Sequence, residues 1–318
     1  MSSITTATVP PVTVPPAAVR VPRPDPQDEP TAPRGVSGSH DVIVGSALSI
    51  LAALLLCLVL DVTLIGHLRQ SRDQSVDYAQ LRFDLANGTL PVGQVNVDGS
   101  VVKVGRPIAL LEIPRLGLRQ VVVEGTTSRA LMRGPGHRRD TPLPGQPGLS
   151  VLMGRRAGFG SSFNRVDSLR ANDTLIVTTS QAKQSFRVLD VRRAGDPVPP
   201  ALARGSSRLV LETADGSPYL PRGLVRIDAD LTSAVQPAPA RFFGYAALPP
   251  AERELGTDTA ALVPLVLKAE ALVLAAVLFA VARLRWGRRQ SWLAGVPVVL
   301  ALGLTVADEV ARLLPNLL

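Results

Sequence analysis

The sequence predicts a mainly β domain, a closed barrel with short helices, carried by three transmembrane α-helices. Three observations lead there. From Pro107 to Leu231 short apolar runs follow one another closely, broken by Gly, Pro and Asp, which is the spacing of a compact β-barrel. Outside that stretch lie three apolar segments, 42–66, 259–282 and 291–314. At about 1.5 Å per residue, such helices approach the hydrocarbon thickness of a bilayer. The composition agrees, being 46% hydrophobic but only 4% aromatic, rich in Ala, Leu and Val. Lysine is confined to Lys103, Lys183 and Lys268, and the sole cysteine is Cys57, which excludes a disulfide framework and a CxxC metal site.

Residues 1–41 are Pro-rich and poor in large apolar groups, so an extended, solvated tail is expected, on the cytoplasmic side. Segment 42–66 is the first span, and Val42 to Leu60 contains 19 residues without a charge. Its length and late start separate it from a signal peptide. Residues 67–105 are polar and mixed and read as an extracellular stalk, with a turn at Asn87-Gly88-Thr89.

The barrel is assigned to 106–232. PIALLEIPRLGL and QVVVEGT read as two strands, Ser128 to Met132 as a helical turn, LSVLMG as a third strand, and TLIVTTS with QSFRVLDVRR as a hairpin. Leu209 to Leu211 is a buried strand, Asp215-Gly216-Ser217-Pro218 a turn, and Leu224 to Leu231 an alternating strand. A Pro/Ala linker, 233–258, leads to the second span, 259–282. The loop 283–290 carries four arginines, and the third span is 291–314. Arginines so dense place that loop in the cytoplasm and the barrel outside the cell membrane. Arg69 and Arg72 beside the first span argue the other way, with less weight. Between His67 and Asp258 there are 25 basic and 18 acidic residues, a net +7 that attracts anionic headgroups or wall polymers without specificity. Nothing points to nucleic acid or to a cofactor.

Within the barrel the text resembles a family. IPRLGL, VVVEGT, GPGHRRDTPLPGQPG and FNRVDSLRANDTLIVTT, with the two strands flanking them, are similar in order and spacing to bacterial sortases of the actinobacterial class D, E and F type. The resemblance implies a cysteine transpeptidase fold, in which the strand ending at Thr213 is followed by the nucleophile and the third strand by a Gly-His-Arg motif. Here Ala214 stands at the nucleophile position and Arg155, in Gly154-Arg155-Arg156, at the histidine position. The family arginine corresponds to Arg222 or to Arg226.

Such chemistry needs a thiolate, a proton-shuttling imidazole and a cation at the oxyanion. A methyl group cannot attack a carbonyl, and a guanidinium with a pKa above about 12 does not cycle a proton at neutral pH. His137 belongs to an upstream GPGH and is read as a helix-end or surface histidine. Thr213 lacks a visible base and is read as packing. What remains is a groove with Arg155, Arg156, Glu212, Thr213, Asp215, Arg222 and Arg226 about it, suited to an extended peptide.

Two charges interrupt the second span. Lys268 and Glu270 are two residues apart and cannot face each other on a helix. Lys268 is therefore assigned to a pair with Asp308 or Glu309 across the helical hairpin, with Asp61 as a third candidate. The expectation is a membrane-anchored pseudo-sortase that binds a peptide or an envelope protein. Two alternatives stand beside it. One is a transpeptidase or hydrolase with an unconventional site, and the other is a structural subunit of a membrane assembly.

Overall fold

The computed structural model describes residues 52–318 apart from Val97 and Gly287. The Pro-rich tail and the first ten residues of the first span therefore lie outside the described residues. Eight strands form the domain: β1 (Pro107–Ile113), β2 (Leu118–Glu124), β3 (Gly136–His137), β4 (Gly148–Met153), β5 (Thr174–Thr178), β6 (Lys183–Arg192), β7 (Ser207–Ser217) and β8 (Leu220–Leu231). They close into a barrel in the order β1-β2-β3-β4-β7-β8-β6-β5. The β2–β3 and β4–β7 pairs are parallel and the others antiparallel. Side chains alternate along each strand. Leu111, Ile113, Leu152, Leu209, Leu211, Val225 and Ile227 thus point inward with Phe163 and Phe186 and fill the barrel.

The strand expectations hold in order, and TLIVT and KQSFRVLDVR do form the β5–β6 hairpin. The turn expected at Asp215–Pro218 falls later. Gly216 adopts φ +100°, which lets a bulge form between Asp215 and Gly216 while the ladder continues to Ser217 opposite Leu220. Tyr219, at φ +66°, makes the reversal.

Among the described residues four α-helical stretches accompany the barrel: α1 (Ala52–Asn87), α2 (Ser128–Leu131), α3 (Leu262–Trp286) and α4 (Arg288–Leu313). Stretches of α1, α3 and α4 are long and apolar enough to cross a membrane. The segment expected as a stalk begins as the second half of α1, to Asn87, and that half packs on the barrel. Leu81 is buried with Leu90, Leu110 and Val121, while the Gln74 amide donates to the Val121 and Arg133 carbonyls and accepts from the Val121 N–H. The expected arginine loop is also mostly helical, since α3 runs to Trp286 and α4 begins at Arg288.

The segment expected as a linker is likewise structured. Two short 3-10 turns at Tyr245–Ala247 and Pro250–Glu252 lie along it and a third, Thr259–Ala261, follows it, with Leu248 and Glu252 buried. Ion pairs of Arg139 with Glu252 and of Arg138 with Glu254 fasten it to the loop after β3.

Charges tie the helices together near the barrel. Lys268 pairs with Glu309, so Glu309 is the partner and Asp308 is not. One residue is about 100° of helix rotation, and that turns Asp308 toward Arg69 of α1, 2.8 Å away. Arg312 bonds both Glu309 and Asp258, at 2.7 Å each.

Candidate ligand-binding groove

The face of β4 and β7 that looks away from the barrel interior carries Val151, Met153, Val210, Glu212 and Ala214. Across the ladder, Leu224 stands opposite Ala214 and Arg226 opposite Glu212. Arg226 donates to the Glu212 carboxylate at 2.6 Å. Burial pushes the Glu212 carboxyl upward, while the hydrogen bond and charge of Arg226 work against that rise.

Gly154 follows β4 and runs close beside β7. Its N–H donates to the Glu212 carbonyl at 3.0 Å, and its own carbonyl accepts from the Thr213 hydroxyl at 2.9 Å. A Cβ at this position would lie 2.6 Å from the Phe163 ring, so only glycine allows the chain to run this close. The next residue, Arg155, is 1% exposed. Its guanidinium donates to Ser128 Oγ at 2.6 Å and to the Leu318 main-chain oxygen at 2.8 Å, with the Phe159 ring centroid 5.2 Å away. Among the described residues, its hydrogen-bond partners are Ser128 and Leu318 and include no Asp or Glu side chain. Burial pulls its pKa down to about 10, which still leaves the side chain cationic at neutral pH.

The groove is filled by the chain itself. Leu317 and Leu318 pack with Leu131, Val151, Met153, Val210 and Ala214, and Leu314, Leu255 and Leu224 border them. The segment is held on both sides by main-chain hydrogen bonds, Arg156 N–H to the Leu317 carbonyl at 3.0 Å and Asn316 N–H to the Gly256 carbonyl at 2.9 Å. The Asn316 side-chain amide donates to the carbonyls of Thr126 at 2.7 Å and Arg253 at 2.9 Å. A Leu318 N–H to Pro315 carbonyl bond closes a turn. Ala214 is left 2% exposed.

The expected groove residues therefore separate. Glu212, Ala214 and Arg226 share one face, but Thr213 alternates to the opposite one and is fully buried. Asp215 pairs with Arg193, and Arg156 with Asp167 at 2.9 Å. Arg222 falls in the bulge and is exposed at the hairpin, so it lines no cleft. Arg155 is a buried cation where an exposed groove charge was expected. His137 is no surface histidine: it sits on β3, 1% exposed, with Nδ1 2.9 Å from Glu124 and Nε2 3.1 Å from the Pro142 carbonyl. Burial is the largest influence on it and favours the neutral ring. The Glu124 charge and hydrogen bond and the Pro142 carbonyl together outweigh burial and raise its pKa. Cys57 packs against Gly303 between α1 and α4. Among the described residues, no three His, Cys, Asp or Glu side chains converge as a metal ion would require.

Residues 111–219 match the sortase domain family. Over 88 residues the chain is 30% identical to sortase D of Bacillus subtilis, a match that covers 28% of this chain and 43% of that relative, less than half its length. Among solved structures, sortase E1 of Streptomyces coelicolor with a tripeptide in the active site is 22% identical. It covers 41% of this chain and 90% of its own, with a TM-score of 0.37. Sortase C of Clostridium perfringens with the C-terminal cell wall sorting motif is 20% identical, covering 51% and 89%, with a TM-score of 0.37. Sortase E of Streptomyces avermitilis is 27% identical, covering 48% and 99%, with a TM-score of 0.36.

Proposed function

We propose that this chain, whose barrel carries a sortase domain, is a membrane-anchored sortase-like protein that binds a peptide or envelope-protein segment without turning it over. In this reading Ala214 and Arg155 stand where the nucleophile and the proton shuttle would be, and the barrel is displayed on the outer face of the cell membrane. The observation that carries it is the surroundings of Ala214: a buried methyl among leucines, with the sole cysteine packed between α1 and α4 and His137 held by Glu124. The buried Arg155 guanidinium supplies a hydrogen-bond donor to the Leu318 main-chain oxygen but no base. Arg226 and Glu212 neutralise each other on the same face.

The groove retains what peptide recognition needs, namely an apolar floor, main-chain donors and acceptors on both walls, and a fixed cation. The test is direct. Full chain in detergent, given sorting-type peptides with an amine acceptor, should yield neither cleaved peptide nor amide product. Cleaved peptide or amide product formed above the peptide-only background would replace this reading with an unconventional enzyme.

A further inference from the structure

We infer that Leu314–Leu318 is a removable plug that competes, from within the chain, with the peptide the groove takes in trans. The inference rests on the peptide-binding reading above and adds the regulation of that site and the chemistry of its ligand. The segment has the features of a bound ligand rather than of a surface strand end. Leu317 and Asn316 are fully buried, and the main chain is bonded from both walls. Its Asn316 amide reads two backbone carbonyls from the rim. The trans ligand thus has the same chemistry: a peptide with a Pro-Asn turn followed by two apolar side chains, and a carbonyl or carboxylate oxygen for Arg155.

The plug is tied to the membrane helices. It follows α4 directly, and Arg312, two residues before Leu314, is clamped between Asp258 and Glu309, while Glu309 also holds Lys268 of α3. Any shift of α4 along its axis pulls on Leu314 and withdraws the leucines from the floor. A tethered segment acts at an effective concentration of about 1 mM. A free peptide of about 10 μM intrinsic affinity would then be weakened roughly a hundredfold by a cis segment of equal affinity. The site is closed until the plug leaves.

The experiment uses the full chain in nanodiscs and a fluorescent, amidated Leu-Leu-Pro-Asn-Leu-Leu peptide, with an Asp-for-Leu version as control. Leu317→Asp places a charge against Met153 and Ala214, and deletion of 314–318 serves as a second variant. Hydrogen exchange at the Arg156 N–H reads plug occupancy directly, because that group donates to Leu317. The expected result is protected Arg156 and little peptide binding in the wild type. In both variants protection should fall at least tenfold and affinity for the peptide should rise at least tenfold. Unchanged protection in the variants would overturn the plug itself. Lost protection with peptide affinity equal to that of the wild type would overturn the competition and leave the groove reading standing, whereas lost protection with no peptide binding in any variant would overturn the reading of the groove as a peptide site.

Discussion

Truncating Leu317 to alanine measures how firmly the segment is seated. The side chain is fully buried and touches both strands of the groove floor, so the substitution removes buried methyl groups and leaves a cavity. For buried leucines that costs about 2–5 kcal/mol. Here there is a ceiling, because a segment following α4 can detach whole once its docking free energy falls below the cost of the cavity. A loss of about 2–3 kcal/mol in the local stability of the groove is therefore expected, with the loss for Leu317→Asp bounded by the same docking free energy. Hydrogen exchange resolves such local openings. The Arg156 and Asn316 amides should exchange roughly 30–150-fold faster, at about 1.4 kcal/mol per tenfold, while interior β7 amides move little. Leu220→Ala at a 71% exposed site is the control and should shift nothing by more than about 0.5 kcal/mol. A loss below about 0.5 kcal/mol for Leu317→Ala would show that the segment merely lies on the barrel.

Arg226→Ala should destabilise the barrel by about 3–5 kcal/mol, because it leaves the buried Glu212 carboxylate facing only Arg138 at 4.0 Å. Arg222→Ala, at an exposed site, should stay within about 0.5 kcal/mol, both variants being read by urea titration. Because the His137 pKa is raised in the fold, its contribution is fully present below the ordinary value of 6.5 and lost as pH rises through the folded value. Melting curves across pH 6–9 should show that decline, and His137→Gln should flatten it. Lys268→Leu should be tolerated to within about 1 kcal/mol, since Glu309 keeps Arg312. Arg312→Leu strands Asp258 and should lower the yield of folded protein in membranes far more.

The barrel was legible because its strands carry their own signals. Period-two alternation in Leu224–Leu231 and the apolar run Leu209–Leu211 need no tertiary information to be read. The two-residue β3 shows no periodicity, and its place in the sheet is set by β2 and β4 on either side. The bulge at Gly216 moved the hairpin turn because its register depends on β8 continuing opposite β7. Charges misled most at the site. Arg155 was expected at an exposed rim, as arginine usually is, and is buried because Ser128, Phe159 and Leu318 meet it there. Glu309 and Asp308 are neighbours in sequence, and only the rotation of α4 assigns one to Lys268 and the other to Arg69. Pro315-Asn316-Leu317-Leu318 is too short to show any period, so its place in the groove was invisible from sequence.

Intact-mass spectrometry of the full chain offers the sharpest examination of a groove that holds peptide without chemistry. After prolonged exposure to sorting-type peptides and an amine, with the plug removed by deletion of 314–318, the mass should equal that of the untreated chain and the peptides should remain whole. A covalent acyl adduct on any residue, or amine-capped peptide accumulating with time, would contradict it.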